Sequence, residues 1–444
     1  MSKKQEEPQK LPHEYFPPIV FNAAGPDKLS QQANQIQVKN SPFYTYAMAL
    51  TAEALLKRAD ILALEYTRDS VAVRISVDGV PYDLQPRDRQ VGDGLLACFK
   101  KLGHLNIAER RAKQEAKLGV EFQGQKYNLY FTSQGVPTGE RVLIKFTAKK
   151  FPFSSLEDLG MRDKLREQYK QVVNAHSGLV VISAPPGGGL TTSWKVALEA
   201  ADRFVRDFIC VVDAKSTDEE MINITPCKFN AAGGETPDQV LPKLLLKQPD
   251  VLVVPEMMNF ETCKLLVDQV NNEHKMAITR IQAKEAVEAL LRVVQQFKPP
   301  IEDFAKAVTM VVNQRLIRKL CDCKQPFQPT PDLLQRLGIP PGRVQMLYRE
   351  WQPPPPPPPD QKGKVEEPQI CQKCNGIGYY GRTAIFELLV INDAIREALV
   401  KRPQIEVLRQ LARQAGTRTI QEEGVLLVAK GVTSIPELQR VLKL

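Results

Sequence analysis

Gly178-Leu-Val-Val-Ile-Ser183, continued by Ala184-Pro-Pro-Gly-Gly-Gly-Leu-Thr-Thr-Ser193, is the stretch that decides the fold. An apolar run, a glycine cluster and a helix-forming segment, in that order, have the layout of a phosphate-binding loop. In such a loop backbone N–H groups wrap the phosphates at a helix start, a lysine reaches the outer phosphates and the next Ser or Thr holds Mg²⁺. Here Leu190 stands at the lysine position and Ala184 at that of the first glycine, while Gly189 and Thr191 keep theirs. The expectation is a cradle formed by the amides of Gly187, Gly188 and Gly189 with Thr191 and Thr192, but without its main cation. Lys195 lies more than one helical turn beyond Leu190, too far into the helix to reach back.

Working outward, short apolar strands alternate with helical segments: Leu179 to Ser183, Ser193 to Arg206, Phe208 to Asp213, Pro237 to Lys247, Val251 to Val254, Glu261 to Asn271, Met276 to Arg280 and Ala283 to Gln296. That order predicts an α/β domain with a parallel sheet covered on both faces. Asp250-Val-Leu-Val-Val-Pro-Glu256 is an apolar strand ending in a carboxylate, which places Glu256 at the sheet edge where an acid polarises water or helps hold Mg²⁺. Asp213 ends the strand before it and faces the same crevice on this reading. Together they are the candidate catalytic acids.

Upstream, residues 1–40 are rich in Pro, Gln, Lys and Asn and read as a mobile tail. Residues 41–150 read as a mixed α/β domain, with a helix from Tyr44 to Ala59 and an alternating strand Ser70-Val-Ala-Val-Arg-Ile-Ser-Val77 stopped by Asp78-Gly79. Arg110 and Arg111 are candidates to bring a guanidinium to the phosphates from this domain. Residues 151–165 read as a linker before the core of 166–320.

Beyond it, Cys321-Asp-Cys323 and Cys371-Gln-Lys-Cys374 supply four thiols in two tight pairs, the set a closed, structural Zn²⁺ site needs. Lys324 and Lys373 are expected to lower the thiol pKa values. Residues 321–380 are thus a zinc element carrying an insertion of seven prolines, Pro353 to Pro359, read as a polyproline II spacer. Residues 381–444 form a helical module whose last pair of helices is split by Gly431-Val-Thr-Ser434.

At 444 residues, with 43% hydrophobic and 25% charged residues, the chain has room for two or three cores. No apolar run reaches the length of a membrane span and the N-terminus is polar, so a cytoplasmic protein is expected. The net charge of +9 arises from 60 Lys and Arg interspersed among 51 Asp and Glu. A zinc-containing nucleic-acid-binding protein therefore ranks low: only Tyr379 and Tyr380 lie near the cysteines to stack on bases.

In their order along the chain, several further segments resemble the ATPase family of type II secretion and type IV pilus assembly. They are Leu105-Asn-Ile-Ala-Glu-Arg-Arg111, Gly139-Glu-Arg-Val142, Gln314-Arg-Leu-Ile-Arg-Lys-Leu-Cys321, Gly381-Arg-Thr-Ala-Ile-Phe-Glu-Leu-Leu389, and Glu423-Gly424 with Gly431-Val-Thr-Ser434. The resemblance implies a RecA-like ATPase core behind the N-terminal domain, a hexamer with nucleotide between the two domains, and a tetracysteine zinc element. It also implies an inner-membrane platform protein as partner, with the chain cytoplasmic and peripheral to the inner membrane.

The chain departs from that pattern where charge is handled. Besides Leu190, the family's Gly-Glu-hydrophobic-Arg-Asp reads Pro255-Glu-Met-Met-Asn259, its paired acids read Val212-Asp213, and Gln282 stands where a histidine belongs. The sequence therefore predicts a scaffold intact and a catalytic apparatus degraded. ATP and Mg²⁺ remain candidate ligands, hydrolysis is impaired, and the role is structural or regulatory in a homomeric ring or one mixed with an active paralogue. An active ATP-hydrolysing motor is the alternative.

Overall fold

The computed structural model describes residues 12–149, 153–216, 218, 220–352 and 369–443. Two compact units, Met1–Pro152 and Phe153–Leu444, are considered separately. The proline run Pro353 to Pro359 and the first eleven residues lie outside the described residues. Among those described, no helix is long and apolar enough to cross a membrane.

The first unit contains β1 (Ile19–Asn22), α1 (Lys28–Lys39), α2 (Tyr44–Leu56), β2 (Ala59–Tyr66), β3 (Ser70–Val77), β4 (Val80–Asp88), α3 (Arg89–Leu102), β5 (Gln114–Phe122), β6 (Gln125–Val136) and β7 (Gly139–Ala148). Its strands make one antiparallel sheet in the order β1-β5-β6-β7-β2-β3-β4. Alternate residues of β3 and β7 are buried, as expected of a sheet with one covered face. Phe21 packs edge-on to Phe99, which stacks on Phe131, each pair 6.2 Å apart.

Residues 12–40 correct the expectation of a mobile tail. Ile19 and Phe21 are buried on β1, which pairs with β5, and Asp27 caps α1 by accepting from the N–H of Ser30 at 2.7 Å. The strand has two inward residues and α1 buries only Asn34 and Val38, so the apolar signal is too sparse for composition to reveal.

The second unit opens with α4 (Asp163–Val173), β8 (Gly178–Ala184), α5 (Leu190–Glu199), β9 (Phe208–Asp213), β10 (Ile224–Phe229), α6 (Pro237–Leu245), β11 (Val251–Val254), α7 (Phe260–Asn272), β12 (Met276–Gln282), α8 (Ala286–Phe297) and α9 (Ile301–Ala307). Then come β13 (Val308–Leu320), β14 (Gln325–Phe327), α10 (Pro331–Arg336), β15 (Leu347–Arg349), β16 (Tyr379–Val390), α11 (Asp393–Lys401), α12 (Ile405–Gln414), α13 (Ile420–Ala429) and α14 (Ile435–Lys443). The main sheet runs β10-β9-β11-β12-β8-β13-β16, parallel throughout except for β16, which lies antiparallel to β13 at the edge. β8 is buried along its whole length, the burial expected when helices cover both faces.

Segments expected to be separate are joined in this unit. The anticipated linker buries Leu156 and Leu159, and the Leu159 carbonyl accepts from the N–H of Ala384 at 2.8 Å. Gly431-Val-Thr-Ser434 does split two helices, but it is also a clamp. Leu320 N–H donates to the Val432 carbonyl, the Thr433 hydroxyl to the Arg318 carbonyl, each at 2.8 Å, and buried Glu437 receives the Arg318 guanidinium at 2.7 Å.

Glu387 on β16 is buried and accepts from the N–H of Ala286 at the head of α8. Burial pushes its carboxyl up to about 7; Glu285 adds to the rise, while the Ala286 N–H and the guanidinium groups of Arg315 and Arg409 oppose it. Because the folded value is raised, the stabilisation is complete below the unfolded value and is lost as pH rises through the folded one. Glu387→Gln is therefore expected to be more stable than wild type at about pH 8, by on the order of 2–3 kcal/mol, and to lose that advantage near pH 5 in urea unfolding. An equal difference at both pH values contradicts this.

Candidate functional site

The loop between β8 and α5 has the conformation its glycines permit. Gly187 and Gly189 have φ of 73° and 85°, the left-handed region that a side chain resists. A Cβ on Gly188 would lie 2.8 Å from the Pro185 carbonyl, whose oxygen accepts the Gly188 N–H. Gly189 is the cap residue and Leu190 the first residue of α5. The N–H groups of the first turn have no carbonyl within the helix to bond and carry its positive end.

A buried amide fixes this loop. Gln314 on β13 donates from Nε2 to the Gly188 carbonyl at 2.8 Å, and its Oε1 accepts from the Ser193 hydroxyl on α5. One side chain therefore ties strand, loop and helix together. The sequence reading quoted Gln314 for resemblance alone; its burial on a thirteen-residue strand is what gives it this role.

A cavity of about 310 Å³ opens beside the loop, lined by Thr191, Asp213, Lys215, Asp218, Glu256 and Arg280 among others. The structure thus brings together Thr191, Asp213 and Glu256 of the expected residues. Asp213 accepts from the N–H of Lys215 at 3.3 Å, and Glu256, two residues past β11, is largely solvent-exposed. Gln282 stands opposite Ala184 in the β12–β8 register, at the root of the loop. Thr192 is half-buried in the first turn of α5 and does not line the cavity.

The sequence reading missed Arg280 and Asp218. Arg280 lies on β12 opposite Ile182, with its guanidinium 2.8 Å from Asp218, 3.8 Å from Glu256 and 5.3 Å above the ring of Trp194 on α5. Its signal was a lone arginine directly after the buried run Met276-Ala-Ile-Thr279.

In the first unit Arg110 and Arg111 are exposed on a loop, not on a helix face. The loop is held from beneath. Buried Lys100 pairs with buried Glu140 at 2.7 Å and donates to the Glu109 carbonyl, and the Glu109 carboxylate accepts the N–H groups of Arg111 and Ala112. Gly135 allows close approach, since a Cβ there would lie 2.6 Å from the Arg110 carbonyl.

The four cysteines converge. Cys321, Cys323, Cys371 and Cys374 place their sulfurs within 4.8 Å of one another, with Cys321–Cys371 at 3.9 Å and Cys323–Cys374 at 3.7 Å. Four thiolates about 2.3 Å from a tetrahedral metal ion are about 3.8 Å apart, so the cluster fits such an ion. The N–H of Gly378 points at the Cys374 sulfur at 3.3 Å. The two lysines have nearer partners than the thiols, although Lys373 still feels the charge of Cys321. Lys373 pairs with Asp322 at 2.6 Å and Lys324 donates to the Gly431 carbonyl at 2.7 Å. Burial raises Cys321 and Cys323, while the N–H of Cys374 is the main cause that brings Cys371 down to about 7.

A parallel P-loop sheet, an acid one strand away and a four-cysteine cluster at the end of the β13–β16 pair together carry the resemblance into three dimensions. Residues 37–440 match the type II/IV secretion system protein family. The chain belongs to that family. Its relatives include the type IV pilus assembly ATPase PilB of Thermus thermophilus, 26% identical over 406 residues that cover 91% of this chain and 43% of that protein. Another is the type II secretion system protein E of Pseudomonas aeruginosa, 27% identical over 408 residues, covering 91% of this chain and 76% of that protein. This secretion-family chain thus spans less than half the length of the first relative and about three quarters of the second. The ATPase DotB of Legionella pneumophila superposes on 90% of this chain, and on 95% of its own, with a TM-score of 0.55 at 13% identity, which is a likeness of fold.

Gln314→Ala is expected to leave the Gly188 carbonyl and Ser193 hydroxyl without this partner, at a cost of about 1–3 kcal/mol seen as a lower thermal midpoint. An unchanged midpoint contradicts the assignment.

Proposed function

We propose that this chain is a nucleotide-binding member of the secretion and pilus-assembly ATPases that hydrolyses ATP poorly and acts as a structural or regulatory subunit. One observation carries the reading: Leu190 opens α5 at the head of a loop whose glycine geometry is retained. Amides of Gly187 to Gly189 and of the first turn, with Thr191 on Mg²⁺ and Thr192 beside it, suffice to bind phosphates. The rate, in contrast, depends on charge placed where charge develops in the transition state, and an apolar side chain supplies none.

Glu256 is the residue in place to position water, with Asp213 beside it, and Arg110 and Arg111 are the candidates to reach phosphate from a neighbouring chain. A ring of six, homomeric or mixed with an active paralogue, docked on an inner-membrane platform protein at the cytoplasmic face, is the setting the family relation supports. The four cysteines hold a structural Zn²⁺ that closes the segment between β13 and β16; a site with four thiolates has no open position for catalysis.

Two outcomes are expected. Mg²⁺-ATP turnover by the wild type differs from that of Glu256→Gln by less than about twofold, against the ~10²–10³ lost when a working charge contact is removed. Substantial hydrolysis abolished by that change overturns the reading, and a gain in Leu190→Lys identifies the missing charge as limiting. Acid release is expected to yield one Zn²⁺ per chain, with both zinc content and thermal midpoint reduced in Cys371→Ser. Zinc-free protein of unchanged stability contradicts the metal assignment.

A further inference from the structure

The cavity beside the loop holds more charge than the family relation accounts for. Its wall carries three carboxylates, Asp213, Asp218 and Glu256, and two cations, Lys215 and Arg280. Lys215 follows the end of β9 in an exposed turn. Arg280 is different: it rises from within the sheet, its side chain is only 14% exposed, and it is braced by Trp194 on the phosphate-loop helix.

Its hydrogen bonding is incomplete. The 2.8 Å contact to Asp218 and the 3.8 Å contact to Glu256 both involve Nη2. Nη1 is buried and has no hydrogen-bond partner among the described residues, and the Asp218 oxygen facing Nη2 is Oδ2. A buried guanidinium N–H without an acceptor is costly, which marks a place where an acceptor from outside would be stabilised. Planar guanidinium groups bind phosphate oxygens in pairs.

We propose that Arg280 is the cation that serves the polyphosphate of a bound nucleotide in place of the loop lysine, with Asp218 as its counter-ion when the cavity is free. The inference rests on the nucleotide-binding reading above and adds a residue and a regulation to it. Arg280 is anchored on a buried strand, whereas the lost lysine would project from the loop itself. It therefore gives affinity for phosphate while lying within 3.8 Å of Glu256. That arrangement suits binding without turnover, because the acid that would position water is shared with the cation. Asp218 opposes the ligand twice: it repels phosphate and occupies part of Arg280.

The test is equilibrium binding of Mg²⁺-ATP and, separately, of inorganic tripolyphosphate to the full chain. Wild type, Arg280→Ala, Arg280→Lys and Asp218→Asn are compared, with melting curves recorded without ligand. Arg280→Ala is expected to weaken both ligands by about tenfold or more, the size of one charged hydrogen bond, and Arg280→Lys, which keeps the charge but loses the paired contact, by a smaller factor. Asp218→Asn is expected to tighten both. If wild type binds Mg²⁺-ATP and Arg280→Ala binds it equally well or better, Arg280 has no such role while the nucleotide-binding reading stands. If Arg280→Ala does not fold, Asp218→Asn decides: no gain in affinity overturns the proposal. Absence of binding by wild type and by Asp218→Asn alike overturns both readings.

Discussion

The architecture of the site depends on one buried amide. Gln314 reaches from β13 to the Gly188 carbonyl and receives the Ser193 hydroxyl, so an inner strand of the sheet, the glycine loop and the first turn of α5 are tied together. The left-handed glycines make the loop possible and the amide makes it unique. None of this requires the lysine. A phosphate cradle is a matter of backbone direction, and catalysis a matter of charge; the left-handed glycines bear on the first and Leu190, at the lysine position of the motif, on the second.

The same division is visible within each unit. Elements that hold geometry are complete: the Lys100–Glu140 pair under the arginine loop, the Arg318–Glu437 pair under the C-terminal helices, and the four sulfurs spaced for a metal ion. Breaking a buried pair of this kind costs about 3–5 kcal/mol. Charge in the crevice is arranged otherwise than the motif leads one to expect: Leu190 opens α5, Gln282 ends β12, and Arg280 lines the cavity from that same strand.

Much of the fold was legible from short apolar strands alternating with helices, and the apolar run starting at Gly178 is the fully buried strand β8. The long strand β13 was not. β13 contains Asn313, Gln314, Arg315 and Arg318, which look exposed until Glu437, Gly188 and β16 cover them. β1 and α1 escaped notice because so few of their residues turn inward. In the site, Thr191, Asp213 and Glu256 could be read because strand ends and motif spacing fix their places. Arg280 could not, since nothing local says that an arginine in a buried strand will find Asp218 from a distant loop. The lysines beside the cysteines misled for a related reason: proximity in sequence gave no hint of Asp322 and Gly431 as their partners.

The central claim is that this chain grips a nucleotide without consuming it, and the fate of the nucleotide tests it most directly. Full-length protein would be loaded with Mg²⁺-ATP, separated from free ligand, held, and then denatured so that the released nucleotide can be identified. Intact ATP recovered in constant proportion over time is the expected result. Progressive replacement of ATP by ADP in the protein-bound fraction contradicts the account.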